Sequence, residues 1–117
     1  MLAALVSLVL GVSFPATLTI TYWENGPKRP AVVSTLTCEP SGGSVRRPAT
    51  ACRKLSMLLR NPFLPPPAGV ACTQIYGGPD EALVRGTFRG RRVHARFSRK
   101  NGCEIARWDR IAFLFAK

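Results

Sequence analysis

Four cysteines and one histidine carry most of the chemistry that this 117-residue sequence has to offer. Together those residue types suggest zinc, but no C-x-x-C pair occurs and His94 alone completes no ligand spacing, so no metal is expected. Acid–base catalysis by His94 needs a nucleophile or a second titratable group beside it. Cys72 and Cys103 read better as bonded sulfurs, and Glu104 and Asp109, each close to arginines in the chain, as ion-pair partners. Neither enzymatic activity nor a cofactor is therefore expected. As disulfide formers, Cys38, Cys52, Cys72 and Cys103 allow three connectivities that spacing cannot separate, with proximity favouring Cys38–Cys52 and Cys72–Cys103. Each closed loop constrains the unfolded chain by about 3–4 kcal/mol in the entropy model, a large share of what so small a domain needs.

A second cluster follows the third cysteine. Ala71-Cys72-Thr73-Gln74-Ile75-Tyr76 lies between the stiff Pro65-Pro66-Pro67 approach and the turn residues Gly77-Gly78-Pro79. A bridged Cys72 holds Thr73-Gln74-Ile75 extended and exposed, a form that fits a protease cleft at little entropic cost. An ordinary strand entrance, with Ile75 buried and Gln74 solvated, accounts for the same residues, and composition alone favours it.

The third cluster is charge. Seventeen Lys and Arg against six Asp and Glu give a net +11, and nine of the cations fall between Arg85 and Arg110 against only Glu104 and Asp109. Arg85, Arg89, Arg92, His94 and Arg96 take the outward phase of an alternating segment, a cationic face suited to a polyanion, with Trp23 and Trp108 available for stacking. No nucleic-acid motif accompanies them, and a solvated charged face with two core tryptophans is the commoner arrangement.

The elements that must position these clusters are legible from periodicity. Thr17 to Tyr22 alternates, with Leu18, Ile20 and Tyr22 on one face, and Val32 to Cys38 resumes as a neighbouring strand after Glu24-Asn25-Gly26-Pro27. Pro48 opens a helix that runs to about Arg60, with Ala49, Cys52, Leu55, Ser56 and Leu59 on one stripe and Asn61-Pro62 as its stop. Ala82 to Phe88 and Arg91 to Ser98 form a hairpin around Arg89-Gly90, a helical turn or two follows Cys103, and Ile111 to Phe115 reads as a closing strand. The chain is one α+β domain with about five strands, two helices and two disulfides.

The uncharged apolar run from Met1 to Val12 is too short to span a bilayer and reads as a signal peptide or its remnant, residues 1–16, ahead of a domain at 17–117. Cleavage after Ser13 or Ala16 suits it, although the usual preceding cations are missing, and a buried first strand is the second reading. Export to an oxidising, extracellular space agrees with the cysteines.

From about Thr17 to Lys117 the ordered set Leu36-Thr37-Cys38-Glu39-Pro40, Ala51-Cys52, Cys72 with Tyr76 four residues on, Gly86-Thr87-Phe88-Arg89-Gly90, Phe97, Asn101-Gly102-Cys103-Glu104 and Phe113-Leu114-Phe115 resembles the Streptomyces subtilisin inhibitor family of secreted proteins. The resemblance implies an antiparallel sheet with two helices, the Cys38–Cys52 and Cys72–Cys103 pairing, and inhibition of subtilisin-like serine proteases through a substrate-like loop. It puts the reactive bond two residues after the third cysteine, at Gln74–Ile75. Gln74 then fills the protease's primary specificity pocket and Ile75 the first site beyond the bond. Thr73, Cys72 and Ala71 take the preceding sites, Tyr76 extends the contact, and the Asn101 amide supports the loop carbonyls. Gln74 is neutral where trypsin-like pockets want a cation, so broad, apolar subtilisin-like pockets are the better match. The family also pairs into homodimers through an exposed sheet face. Arg85, Arg89, Arg92 and Arg96 oppose such pairing by repulsion and leave polyanion binding as the alternative function.

Overall fold

A computed structural model describes residues 15–115, so the apolar leader segment 1–12 and the Ser13 cleavage point lie outside the described residues. Ala16, the other candidate cleavage point, opens the first strand and is 3% exposed. Chain order is β1 (Ala16–Trp23), β2 (Val32–Cys38), α1 (Pro48–Ser56), β3 (Glu81–Phe88), β4 (Arg91–Ser98), α2 (Gly102–Arg110) and a 3-10 turn at Ala112–Leu114. The strands form an antiparallel sheet in the order β2-β1-β3-β4.

Register follows from alternation. Leu18 and Ile20 of β1 face inward with Leu36, Val84, Phe88, Val93, Ala95 and Phe97 of the other strands, and Ala51, Leu55 and Trp108 of the helices complete the core. A one-residue slip would turn every one of these apolar side chains to water, which fixes the pairing. Thr17, Thr19 and Thr21 occupy the opposite face. The Cys38–Cys52 disulfide, with Cα atoms 5.8 Å apart, ties the end of β2 to α1.

Three expectations change. The closing strand at Ile111 to Phe115 is instead a tight turn, with the Leu114 N–H donating to the Ile111 carbonyl and Phe115 to Ala112. A continuous apolar run carries no period, and here it buries Ile111 and Leu114 while Phe115 packs at a tilt against Trp108, ring centroids 4.5 Å apart. The sheet therefore has four strands among the described residues rather than five. Helix α1 stops at Ser56, and Leu59 is 98% exposed, off the predicted stripe. Ala49 and Ser56 are exposed too, and Ala51 with Leu55 forms the buried side. The core position beyond the helix is filled by Phe63, whose ring meets Phe88 edge-on at 5.2 Å and whose N–H is held by Asn61 Oδ1.

Candidate functional site: an exposed loop pinned at both ends

Residues 71–78 have no regular secondary structure and lead from the proline-rich segment to β3. Ala71, Thr73 and Gln74 are exposed, Ile75 is 59% exposed and Tyr76 68%. The strand-entrance reading, which buries Ile75, therefore fails. An exposed apolar pair on a loop of irregular backbone is held out only if the loop is anchored elsewhere.

The anchors lie at the N-terminus of α2 and the segment before it. Cys72 is bonded to Cys103 with Cα atoms 5.3 Å apart. One residue on, the Thr73 carbonyl accepts from the Gly102 N–H at 2.9 Å. The approach is so close that a Cβ on Gly102 would overlap the Thr73 hydroxyl. Past the exposed residues, the Gly77 N–H donates to the Arg99 carbonyl at 2.6 Å while Arg99 Nε donates back to the Gly77 carbonyl at 3.1 Å. Gly77 is closely packed too, since a Cβ there would lie 2.9 Å from Ile105 Cδ1 and 3.2 Å from Arg99 Cβ and would have to displace them. Gln74, Ile75 and Tyr76 thus sit between two backbone attachments to the same small region.

Asn101 is the N-cap of α2, its Oδ1 accepting from the Glu104 N–H at 3.0 Å. That bond satisfies one of the otherwise orphaned donors of the helix start and fixes Gly102 beneath Thr73. Farther along, Asp80 accepts from the Tyr22 hydroxyl at 2.8 Å, tying the loop's exit to β1. Burial first, then that hydrogen bond and the charge of the carboxylate, push the Tyr22 phenol up to about 12. The sequence assigns no anchoring role to Arg99, Gly77, Gly102 or Asp80. The glycine pair Gly77-Gly78 marked a turn, but nothing in a cationic segment distinguishes Arg99.

All four cysteines are consumed in the two disulfides. His94 is exposed on the outer sheet face, across from Arg85 on β3. Arg92 and Arg96 share that face opposite Thr87 and Leu83, and Arg96 lies 3.8 Å from Glu81 and 5.9 Å above the Trp23 ring. Arg89 does not join them. It sits in the hairpin turn with a positive φ of 51° and reaches the carbonyls of Ser56 and Leu58 at the end of α1. Trp108 is a core residue.

An antiparallel α+β fold with two disulfides and an exposed, doubly anchored loop after the third cysteine defines a class, and the sequence places the chain in it. It matches the subtilisin inhibitor-like family over residues 14–101, and the chain belongs to that family. Among solved structures it is similar to sermetstatin of Streptomyces caespitosus in complex with Bacillus licheniformis subtilisin, at 20% identity and a TM-score of 0.53, covering 88% of this chain and 99% of that one. That likeness is one of fold. No curated protein matches.

Proposed function

We propose that this protein is an exported inhibitor of subtilisin-like serine proteases and that Gln74–Ile75 is its reactive bond. Family membership carries the inhibitory activity; the exposed loop held by Cys72–Cys103, Thr73–Gly102 and Gly77–Arg99 supports the assignment of the bond. Gln74 enters the primary pocket and Ile75 the site beyond, with Ala71, Cys72, Thr73 and Tyr76 along the cleft and Asn101 beneath the loop. Two disulfides and the apolar stretch at the start of the chain support action outside the cell.

The physics is retention rather than turnover. Ordering a free peptide in a protease cleft costs rotamer and backbone entropy, which a preformed loop has largely lost already, so dissociation is slow. The protease serine attacks the Gln74 carbonyl, but the two halves of the chain remain joined by the Cys72–Cys103 bond and by the sheet, in which β1 and β2 precede the cut and β3 and β4 follow it. The test is intact-mass analysis after incubation with a sub-stoichiometric amount of subtilisin. A single cut between Gln74 and Ile75 is expected; cleavage elsewhere with an intact loop, or no inhibition, overturns the assignment.

A further inference from the structure

The two sides of the proposed bond are not held alike. Before it, a covalent bridge at Cys72 and the Gly102–Thr73 hydrogen bond fix the acyl side within two residues of the Gln74 carbonyl. After it no covalent tie is near, because Cys103 is the next bridged residue on that side. The first attachment beyond Ile75 is Gly77, and Arg99 makes both of its hydrogen bonds there, one through its own carbonyl and one through its guanidinium.

Arg99 is itself locked. Its Nη1 lies 3.1 Å from Asp109 Oδ1, its guanidinium carbon lies 5.8 Å from the Trp108 ring centroid, and its side chain is only 25% exposed. Asp109 and Trp108 both belong to α2, the helix that holds the acyl side through Cys103 and Gly102. A guanidinium braced at one end by a solvent-facing carboxylate and an aromatic face is restricted in the directions its Nε–H can take.

We infer that Arg99 is a positioning residue that keeps the newly formed Ile75 amine beside the acyl-enzyme so that the bond is remade rather than hydrolysed; the inference rests on the inhibitory reading above. Attack by the serine Oγ on the Gln74 carbonyl carbon breaks the C–N bond, and the amine of Ile75 leaves with the proton taken from the serine. Return of that amine to the ester carbon restores the peptide and gives the proton back to Oγ. If water reaches the ester first, it leaves Gln74 as a carboxylate and the inhibitor is cut. Which course wins depends on the local concentration of the amine, and a group tethered two residues away in fixed geometry has a far higher effective concentration than a loose end. Arg99 acts on that competition and touches neither the serine nor the bond.

The experiment compares wild type, Arg99→Ala and Arg99→Lys with subtilisin. It records inhibition on first mixing, the rate at which the cut form accumulates, the ratio of cut to intact chain at equilibrium, and the melting temperature. Expected is that Arg99→Ala still inhibits on first mixing, though less tightly than wild type because its loop loses the guanidinium attachment at Gly77, and that it is cut about ten-fold faster with its equilibrium shifted toward the cut form. Arg99→Lys, which keeps the charge opposite Asp109 without the planar fork, falls between. It also carries the test if Arg99→Ala does not fold. A lower melting temperature with unchanged cutting rate and unchanged ratio assigns Arg99 a purely structural role and overturns the inference while the inhibitory reading stands. Failure of the wild type to inhibit overturns that reading itself.

Discussion

Gln74 donates from Nε2 to the Cys72 carbonyl at 3.2 Å, so its side chain folds back along its own loop. Entering a protease pocket breaks that bond and strips water from the amide, a cost an apolar side chain does not carry. With Gln74 in the primary pocket as proposed, Gln74→Met is expected to tighten subtilisin inhibition about ten-fold and Gln74→Gly to weaken it about a hundred-fold. Inhibition constants for the three proteins check both. Tyr22 gives a second residue-level test. Its folded value of about 12 lies above the ordinary 10.0, so the fold favours the neutral phenol. That contribution is complete below pH 10 and is lost as pH rises through about 12. Thermal melts should therefore show wild type losing stability across that window more steeply than Tyr22→Phe, whose curve lacks this component. Sequence made the exposed stretch after Cys72 nameable because a cysteine and two glycines bound it. It could not show Arg99 or Gly102, whose contacts with the loop run largely through backbone atoms that have no side-chain signature.

At the scale of elements, α2 is both a packing helix and the platform of the loop. Removing its cap by Asn101→Ala is expected to cost about 1 kcal/mol, a melting temperature lower by roughly 4–8 °C for a domain of this size. Asn101→Asp keeps an oxygen for the Glu104 N–H but loses the amide. If the amide also supports the loop, this variant melts like wild type yet inhibits less, and calorimetry with inhibition assays separates the two roles. Replacing Cys72 and Cys103 together by alanine should turn the protein into a substrate, read as progressive loss of inhibition with accumulation of two separable fragments under denaturing conditions. Strands declared themselves through alternation, from Thr17 to Tyr22 and again in the β3–β4 hairpin. Periodicity overextends α1 because Leu58 and Leu59 continue its apolar content past Ser56, where the helix ends, and Ile111 to Phe115 gives no strand because five apolar residues in a row fit a strand or a turn equally.

Over the whole molecule, net charge of +11 governs encounters more than stability. The outer sheet face sets Arg85, His94, Arg92 and Arg96 beside a threonine array, with Glu81 as a nearby acid. Two such faces brought together repel, and in sedimentation at low ionic strength the protein is expected to remain a monomer as concentration rises. A mass that doubles shows that the face pairs despite its charge. With Arg89 reaching the end of α1, the cationic sheet face is narrower than its sequence spacing suggests, so retention on heparin should follow the net charge and fall steeply as salt rises.

Apart from the Cys72–Cys103 bridge, the loop is gripped by main-chain atoms, namely the carbonyl of Thr73 and the amide and carbonyl of Gly77. The three intervening side chains are consequently exempt from holding the fold together. With Gln74–Ile75 as the proposed reactive bond, such a scaffold is expected to behave as an interchangeable cassette, in which rewriting Gln74, Ile75 or Tyr76 re-aims it at a different enzyme while leaving the mounting untouched.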